Sequence, residues 1–335
     1  MIFQLPRRFL KLILYTPWMV PGSLAIVPSE VSLLFAYDWP FDEPFVDLLS
    51  RSLGSRGGRL LVVCPKTLPQ ALTELELGRY HPRSYLDRAS DTDPSFEPLN
   101  AWADIHVPLH LNPNPLRRRA WHKTNLHWQF IAAGIHTPYT LAIPSLARQA
   151  QVSPPPDLAA LGEPFSIKPD LGGGGWGVVI DARSWDDVLA ARRRLPEDNL
   201  ILQQFIEPAV LGNRRAWFRV FYSCGTVAPC WWDDRTKLFG PLVTPEESEL
   251  FNLQPLWEIV QKAARISGLH LFSTEVARVP DGRFIAVDYV NDPIDLRFQP
   301  FAREGMPQAV AALLAEAISS YLLPSASNGE VIPSP

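Results

Sequence analysis

The chain has 335 residues, 47% of them hydrophobic and 20% charged, with 31 basic against 35 acidic side chains and a net charge of −4. That length is about two domains' worth, and the apolar share excludes disorder along the whole chain. The missing basic excess argues against a nucleic-acid partner, the three scattered cysteines form neither a disulfide framework nor a zinc cluster, and no run reaches the ~18 apolar residues of a membrane span. At the N-terminus, Arg7-Arg8 before Leu12–Val20 superficially resembles an export signal. Pro17 and Pro21 break that run, and no small-residue cleavage site follows. The expectation is a soluble cytoplasmic protein whose first residues pack on or beside its first domain.

Ser32–Tyr37 predicts a short apolar strand. Asp42 is placed to cap a helix carrying Phe45, Leu48, Leu49 and Leu53 at helical spacing, with Gly54 as its stop. Arg59–Cys64 predicts a second strand, apolar as parallel strands buried on both faces are. Thr67 then caps a helix ending near Gly78. This β-α-β-α order predicts a small parallel sheet flanked by helices. Residues 89–115, rich in Asp, Pro, Ser and Asn, read as loop.

Beyond Arg119, residues Lys123–Ala133 predict a helix with Leu126, Phe130 and Ile131 on one face. Residues 144–157, with their Pro154-Pro155-Pro156 run, read as a connection. Strands are predicted at Phe165–Pro169, Val178–Asp181, Leu200–Phe205, Trp217–Ser223 and Thr226–Trp231. Ser184 and Asp187 form a capping-box pattern before Val188–Leu195. Pro255 opens a helix burying Leu256, Ile259, Val260, Ala263 and Ile266 and closing at Gly268, and Gln308–Leu322 is the last helix. Residues 325–335 read as a disordered tail.

Two segments carry the chemistry. In the first, Lys168-Pro169 ends a strand and leads through Gly172, Gly173, Gly174, Gly175 and Gly177 into Val178-Val179-Ile180. The letters fit a dinucleotide fingerprint, but a strand follows where that fingerprint needs a helix, and no Lys-Ser/Thr follows for a P-loop. What remains is a glycine hairpin whose backbone N–H groups can approach phosphate oxygens, with Lys168 as a point charge. The alternative is an exposed turn with a solvated lysine.

In the second, Asp281-Gly282 between apolar runs predicts a two-residue hairpin. That register puts Glu275 opposite Asp288, with Ala277 and Ala286 as small neighbours on the same face. Opposed carboxylates repel unless a cation or proton lies between them. With Asn291 nearby, the all-oxygen set suits Mg²⁺. In an unbroken strand, however, Asn291 points to the other face, so a bulge or strand end near Val290 is required. The alternative is a pair of carboxylates at the exposed end of the hairpin, unpaired or matched to arginines.

Together these residues resemble the ATP-grasp superfamily over about 120–300. Lys123 precedes a Gly134-Ile135-His136-Thr137-Pro138-Tyr139-Thr140 step, and Lys168-Pro169 precedes a glycine lid. Then come Leu202–Ile206 with Glu207, Arg219-Val220-Phe221, and the acidic pair with its asparagine. The family usually shows Glu-x-Asn where this chain has Asp288-x-x-Asn291. The resemblance implies an ATP-grasp fold, two α+β subdomains clasping ATP, preceded by a small Rossmann-like parallel α/β domain. The implied division is 1–115, 116–324 and the tail 325–335.

By the same resemblance, Lys123, Lys168 and Gly172–Gly175 meet the phosphates, and the Gln204, Phe205 and Ile206 backbone meets adenine. Glu207 holds the ribose, Arg219 contacts phosphate or acyl-phosphate, and Glu275, Asp288 and Asn291 hold Mg²⁺. Arg297 is a weaker candidate for gripping a substrate carboxylate. The implied reaction is ATP- and Mg-dependent ligation of a small-molecule carboxylate, an amino acid or small peptide, to an amine. Its alternatives are a small-molecule kinase and an inactive ATP-binding module. Neither nucleic acid nor membrane is expected as a partner, and a homodimer is the default oligomer.

Overall fold

The structure, a computed structural model, describes residues 29–150, 152 and 155–324. The expectations for Arg7-Arg8, Leu12–Val20 and 325–335 lie outside the described residues. The chain opens with β1 (Ser29–Val31), β2 (Leu33–Tyr37), α1 (Glu43–Ser55), β3 (Leu60–Val63), α2 (Leu68–Glu76), β4 (Tyr80–Pro82), β5 (Ser84–Arg88), α3 (Glu97–His106) and β6 (Leu109–Leu111). Four of these strands form a parallel sheet in the order β3-β2-β5-β6. Central β2 is buried throughout because helices cover both of its faces.

Three local expectations are corrected. β3 is an edge strand and keeps partial exposure along most of its length, so its apolar run does not mean burial on both faces. Asp42 makes no cap hydrogen bond; its carboxylate pairs with buried Arg88, the last residue of β5. Residues 89–115 are not loop: they hold α3, β6 and the start of the next helix. The polar letters there are boundary signals. Asp93 accepts from the Ser95 N–H, Pro98 sits in the first turn of α3, and Leu99 and Ala103 supply its buried stripe.

Next come α4 (Asn114–Trp121), α5 (Lys123–Ala132), β7 (Thr140–Ile143), β8 (Phe165–Pro169), β9 (Val179–Ala182), α6 (Trp185–Arg194) and β10 (Leu200–Gln204). The four strands form an antiparallel sheet in the order β7-β10-β8-β9. Ser184 and Asp187 make the reciprocal capping box that starts α6. Along α5, Leu126 and Phe130 are buried, but Ile131 faces solvent, contrary to its assignment to the apolar face.

The last part runs β11 (Val210–Leu211), β12 (Arg214–Arg215), β13 (Trp217–Ser223), β14 (Thr226–Trp232), β15 (Phe239–Leu242), α7 (Pro245–Leu250), α8 (Pro255–Ser267), β16 (Leu271–Arg278), β17 (Phe284–Asn291) and α9 (Gln308–Leu322). Five strands form an antiparallel sheet in the order β15-β14-β13-β16-β17. α8 buries Leu256, Ile259, Val260 and Ala263 against one face and ends where Gly268 turns left-handed at φ 71°. The opposite face joins α9, α1 and the first sheet through Phe221, Ala228 and Leu271. Strand alternation decides what else lies on that face: Phe221 shares it with Arg219 and Trp217, and Leu271 with Ser273 and Glu275. One end of the face is therefore core, and the other carries charge.

Candidate active site

β8 buries Phe165 and Ile167 in the small sheet's core, so Ser166 and Lys168 face the other way. In the neighbouring register Ser166 lies beside Gln203 and Lys168 beside Ile201. This face meets β17: Lys168 Nζ donates to the Val287 carbonyl at 3.0 Å, and Gln203 Nε2 donates to the Tyr289 hydroxyl at 2.8 Å.

The β16–β17 hairpin carries two register shifts. Val276 pairs with Ala286, Glu275 with Asp288, and Ser273 with Asn291. Each shift inserts one residue into β17, and the first leaves Val287 without a cross-strand partner. Its carbonyl is the one that accepts from Lys168. The second returns Asn291 to the face of Ser273, Glu275 and Asp288, where its Nδ2 donates to the Ser273 carbonyl at 3.4 Å. The carboxylates thus oppose each other, but not through the expected two-residue hairpin. Arg278 pairs with Phe284 and the Val279 N–H donates to the Arg283 carbonyl, so the turn takes in Pro280 as well as Asp281 and Gly282, and only the insertion at Val287 restores the opposition. Ala277 shares their face; Ala286 does not, because it pairs with Val276 and enters the core beneath α8.

The charges interlock. Arg219 donates to Glu275 Oε1 at 2.5 Å and to Ser273 Oγ at 3.1 Å, and Trp217 Nε1 donates to Glu275 Oε2 at 3.1 Å. Arg219 also lies 5.6 Å from the centre of the Trp232 ring. Burial pushes the Asp288 carboxyl up, but Lys168, Lys123, Arg219 and the nearby Asn291 amide outweigh it and hold it below the ordinary carboxylate range. Burial lowers the Lys168 ammonium from its ordinary value, although Asp288 and Glu275 pull the other way. Lys168 and Asp288 therefore support each other's charge through space, while the Lys168 ammonium itself bonds the Val287 carbonyl.

Lys123, the first residue of α5, sends its Nζ to the Gly172 carbonyl at 2.5 Å. Its position depends on buried Asp170, which accepts from the Thr124 N–H at 2.7 Å and lies 3.0 Å from His122 Nδ1. A carboxylate at a helix N-terminus satisfies free N–H groups and complements the dipole. Gly172–Trp176 stands open: a Cβ at Gly172, Gly173, Gly174 or Gly175 would meet nothing within 4 Å, and Trp176 is 66% exposed. Gly177 differs. It has φ 73°, and a Cβ there would come within 2.8 Å of Leu195.

The remaining expected residues lie at the other end of the small sheet or outside it. The Gln204 N–H donates to the Tyr139 carbonyl at 2.9 Å, and Phe205 is exposed beyond the end of β10. Glu207 is bonded to Arg215 at 2.5 Å, which also grips Asp234. Arg297 is tied to Asp295 and lies 5.1 Å from the centre of the Trp39 ring. Among the described residues, three or more His, Cys, Asp or Glu side chains nowhere gather as metal ligands. The hairpin offers two carboxylates and an amide, a hard-oxygen set that fits Mg²⁺ completed by water and phosphate. Glu275 already receives Arg219 and Trp217, so Asp288 and Asn291 have the greater remaining capacity.

Sequence reasoning missed the supports behind these groups. Arg117, buried on α4, bonds Asp292 at 2.7 Å and lies 3.4 Å from both Asp87 and Asp91. Asn112 donates to Asp292 Oδ1 at 2.7 Å, and Trp121 Nε1 donates to its carbonyl at 2.8 Å. Asp292 follows Asn291, so this clamp fixes the end of β17. Trp217 and Ser273 were findable by period-two alternation from Arg219 and Glu275; Arg117 and Asp170 carried no local signal.

No protein-family model matches the sequence, and no curated protein is similar to it at the sequence level. Solved structures are similar in fold. An ATP-grasp RimK domain protein from Sphaerobacter thermophilus shares 20% identity with a TM-score of 0.57, over 87% of this chain and 99% of that one. The ATP-grasp ligase PsnB, complexed with a minimal precursor, Mg and ADP, shares 15% identity with a TM-score of 0.56, over 87% and 98%. D-alanine–D-alanine ligase from Bacillus anthracis, complexed with ATP, shares 10% identity with a TM-score of 0.59, over 88% and 95%. The chain has the ATP-grasp fold.

Proposed function

We propose, from the ATP-grasp fold as premise, that this protein is an ATP- and Mg²⁺-dependent ligase joining a carboxylate, an amino acid or small peptide, to an amine through an acyl-phosphate. The observation that carries this reading is the convergence of Lys168, Lys123 and Arg219 on Asp288, Glu275 and Asn291, where the small sheet meets the β16–β17 hairpin. Cations at that seam suit a triphosphate, and the open Gly172–Gly175 turn supplies backbone N–H groups that can fold over it. Adenine would rest against the Gln204–Ile206 backbone, with Glu207 beside the ribose after release from Arg215.

In the reaction, the substrate carboxylate attacks the γ-phosphorus and ADP leaves; the amine then attacks the acyl carbon and phosphate leaves. Lys168 and Lys123 orient the phosphate oxygens, and Arg219 stabilises charge on the transferring group. Asp288 and Asn291, with Glu275 behind them, would hold Mg²⁺, which when bound neutralises phosphate charge. A second reading, an inactive nucleotide-binding module, is favoured by one observation: Arg219 and Trp217 already occupy both oxygens of Glu275.

Calorimetric titration of ATP with and without Mg²⁺, beside Lys168→Met and Asp288→Asn, tests the site. Mg²⁺-dependent binding lost in both variants supports it. ADP and phosphate released only with the right carboxylate and amine identifies a ligase. ATP binding without turnover in any mixture identifies the inactive module, and AMP with pyrophosphate refutes the acyl-phosphate route.

A further inference from the structure

The outer face of α4 opens beside the phosphate-facing lysines. Asn114, Arg118 and Trp121 follow one another at helical i+4 and i+3 spacing, and with Ser90, Asp91 and Leu171 they line a cleft of about 390 Å³. That volume falls at the small end of the range for ligand sites, about 300–1,000 Å³. The cleft adjoins the proposed reaction centre through three of its walls. His122 precedes Lys123, and Leu171 precedes Gly172. The Trp121 indole is bonded to the carbonyl of Asp292, the residue after Asn291.

The cations around the cleft have different partners. Arg117 is buried among Asp87, Asp91 and Asp292. Lys123 is on the Gly172 carbonyl, and His122 is on Asp170. Among the described residues, Arg118 is exposed and pairs with no carboxylate. An arginine in a concave polar site matches a carboxylate in bidentate fashion. The one carboxylate lining the cleft is Asp91, whose side chain is mostly turned inward and lies 3.4 Å from Arg117 without a hydrogen bond to it. Ser90 and Asn114 add neutral polar groups, while Trp121 and Leu171 supply apolar wall.

Resting on the ligase reading, we propose that this cleft seats one substrate as a zwitterionic amino acid with an apolar side chain. Arg118 is its specificity-determining residue: it clamps the carboxylate while Asp91 receives the ammonium. The side chain lies along Trp121 and Leu171.

The test uses the full chain without nucleotide, titrating alanine, leucine and phenylalanine, their carboxamides and their N-acetyl derivatives by calorimetry. ATP is titrated separately. The expected result is binding of at least one free amino acid, weakened about ten- to a hundredfold by amidation, by N-acetylation and by Arg118→Met, the scale of a lost charged hydrogen bond. ATP binding to Arg118→Met stays at the wild-type level. Equal binding of acid and amide, or an unchanged Arg118→Met titration, overturns the clamp. ATP binding with no amino acid bound overturns the cleft assignment and leaves the ligase reading standing. Amino acids bound by a protein that takes up no ATP support the cleft and overturn the ligase reading, and a folded sample that binds neither overturns both.

Discussion

The glycine turn and the acidic hairpin face the same seam but are built in opposite ways. Gly172–Gly175 has open space around every Cα, and Trp176 beside it is two-thirds exposed. The hairpin wall is tied through its side chains: Glu275 to Arg219 and Trp217, Asn291 to the Ser273 carbonyl, and Asp292 to Asn112 and Arg117. Electrostatic stabilisation needs charges already in place before the reaction. A cover needs freedom to admit and release its ligand. Under the proposed ligase function, the tied wall supplies the preorganised charge and the open turn the cover.

The largest effect should come from removing charge at the centre of the rigid wall. Lys168→Met or Asp288→Asn is expected to abolish Mg²⁺-dependent ATP binding in calorimetry while circular dichroism stays that of the wild type. Undiminished binding in either variant would show that the wall does not hold the nucleotide. Next is the clamp behind the wall. Arg117→Leu leaves Asp87 and Asp292 buried without their cation, which is expected to cost about 3–5 kcal/mol in urea unfolding. A change below about 1 kcal/mol would mean that the hairpin is not anchored through α4.

A smaller effect concerns pH. Burial lowers His127 from its ordinary value of 6.5, and its Nδ1 lies 2.7 Å from the Tyr289 hydroxyl behind the hairpin. The folded state therefore binds this proton less readily than the unfolded chain. Stability should be whole above about pH 6.5 and decline as pH falls toward the lower folded value. His127→Gln should flatten that decline in thermal melts across pH, leaving a remainder from His270, which burial also lowers. An unaltered slope would remove His127 as its source.

The smallest stability effect belongs to the open side. Trp176→Ala is expected to move the unfolding free energy by no more than about 0.5 kcal/mol, as for an exposed side chain. Its effect should appear as faster release of a fluorescent ATP analogue. A large loss of stability would show that the turn is packed after all, and the contrast with the hairpin would collapse.

Much of the site was legible because its signals are local. Lys168 at a strand end and the glycines after it follow from periodicity and turn chemistry; Glu275 and Asp288 face each other only because the insertion at Val287 offsets a turn one residue longer than expected. The capping box at Ser184 and the left-handed stop at Gly268 are equally local, and both appear as expected. Residues 89–115 misled because Asp, Asn and Pro mark helix boundaries as readily as loops; the separating signal was the Leu99–Ala103 stripe.

By itself, then, the sequence determined most of the strands and helices beyond Lys123 and the open glycine turn, since each is set within about a dozen neighbouring residues. Only the tertiary structure decided which face Asn291 occupies, that Ala286 leaves the site for the core, and that Arg117 locks Asp292 from a helix 175 residues away. The physical reason is common to all three. A strand bulges where a distant partner accepts the displaced groups, as Lys168 does at Val287, and a buried arginine is held only where carboxylates from separate elements close around it.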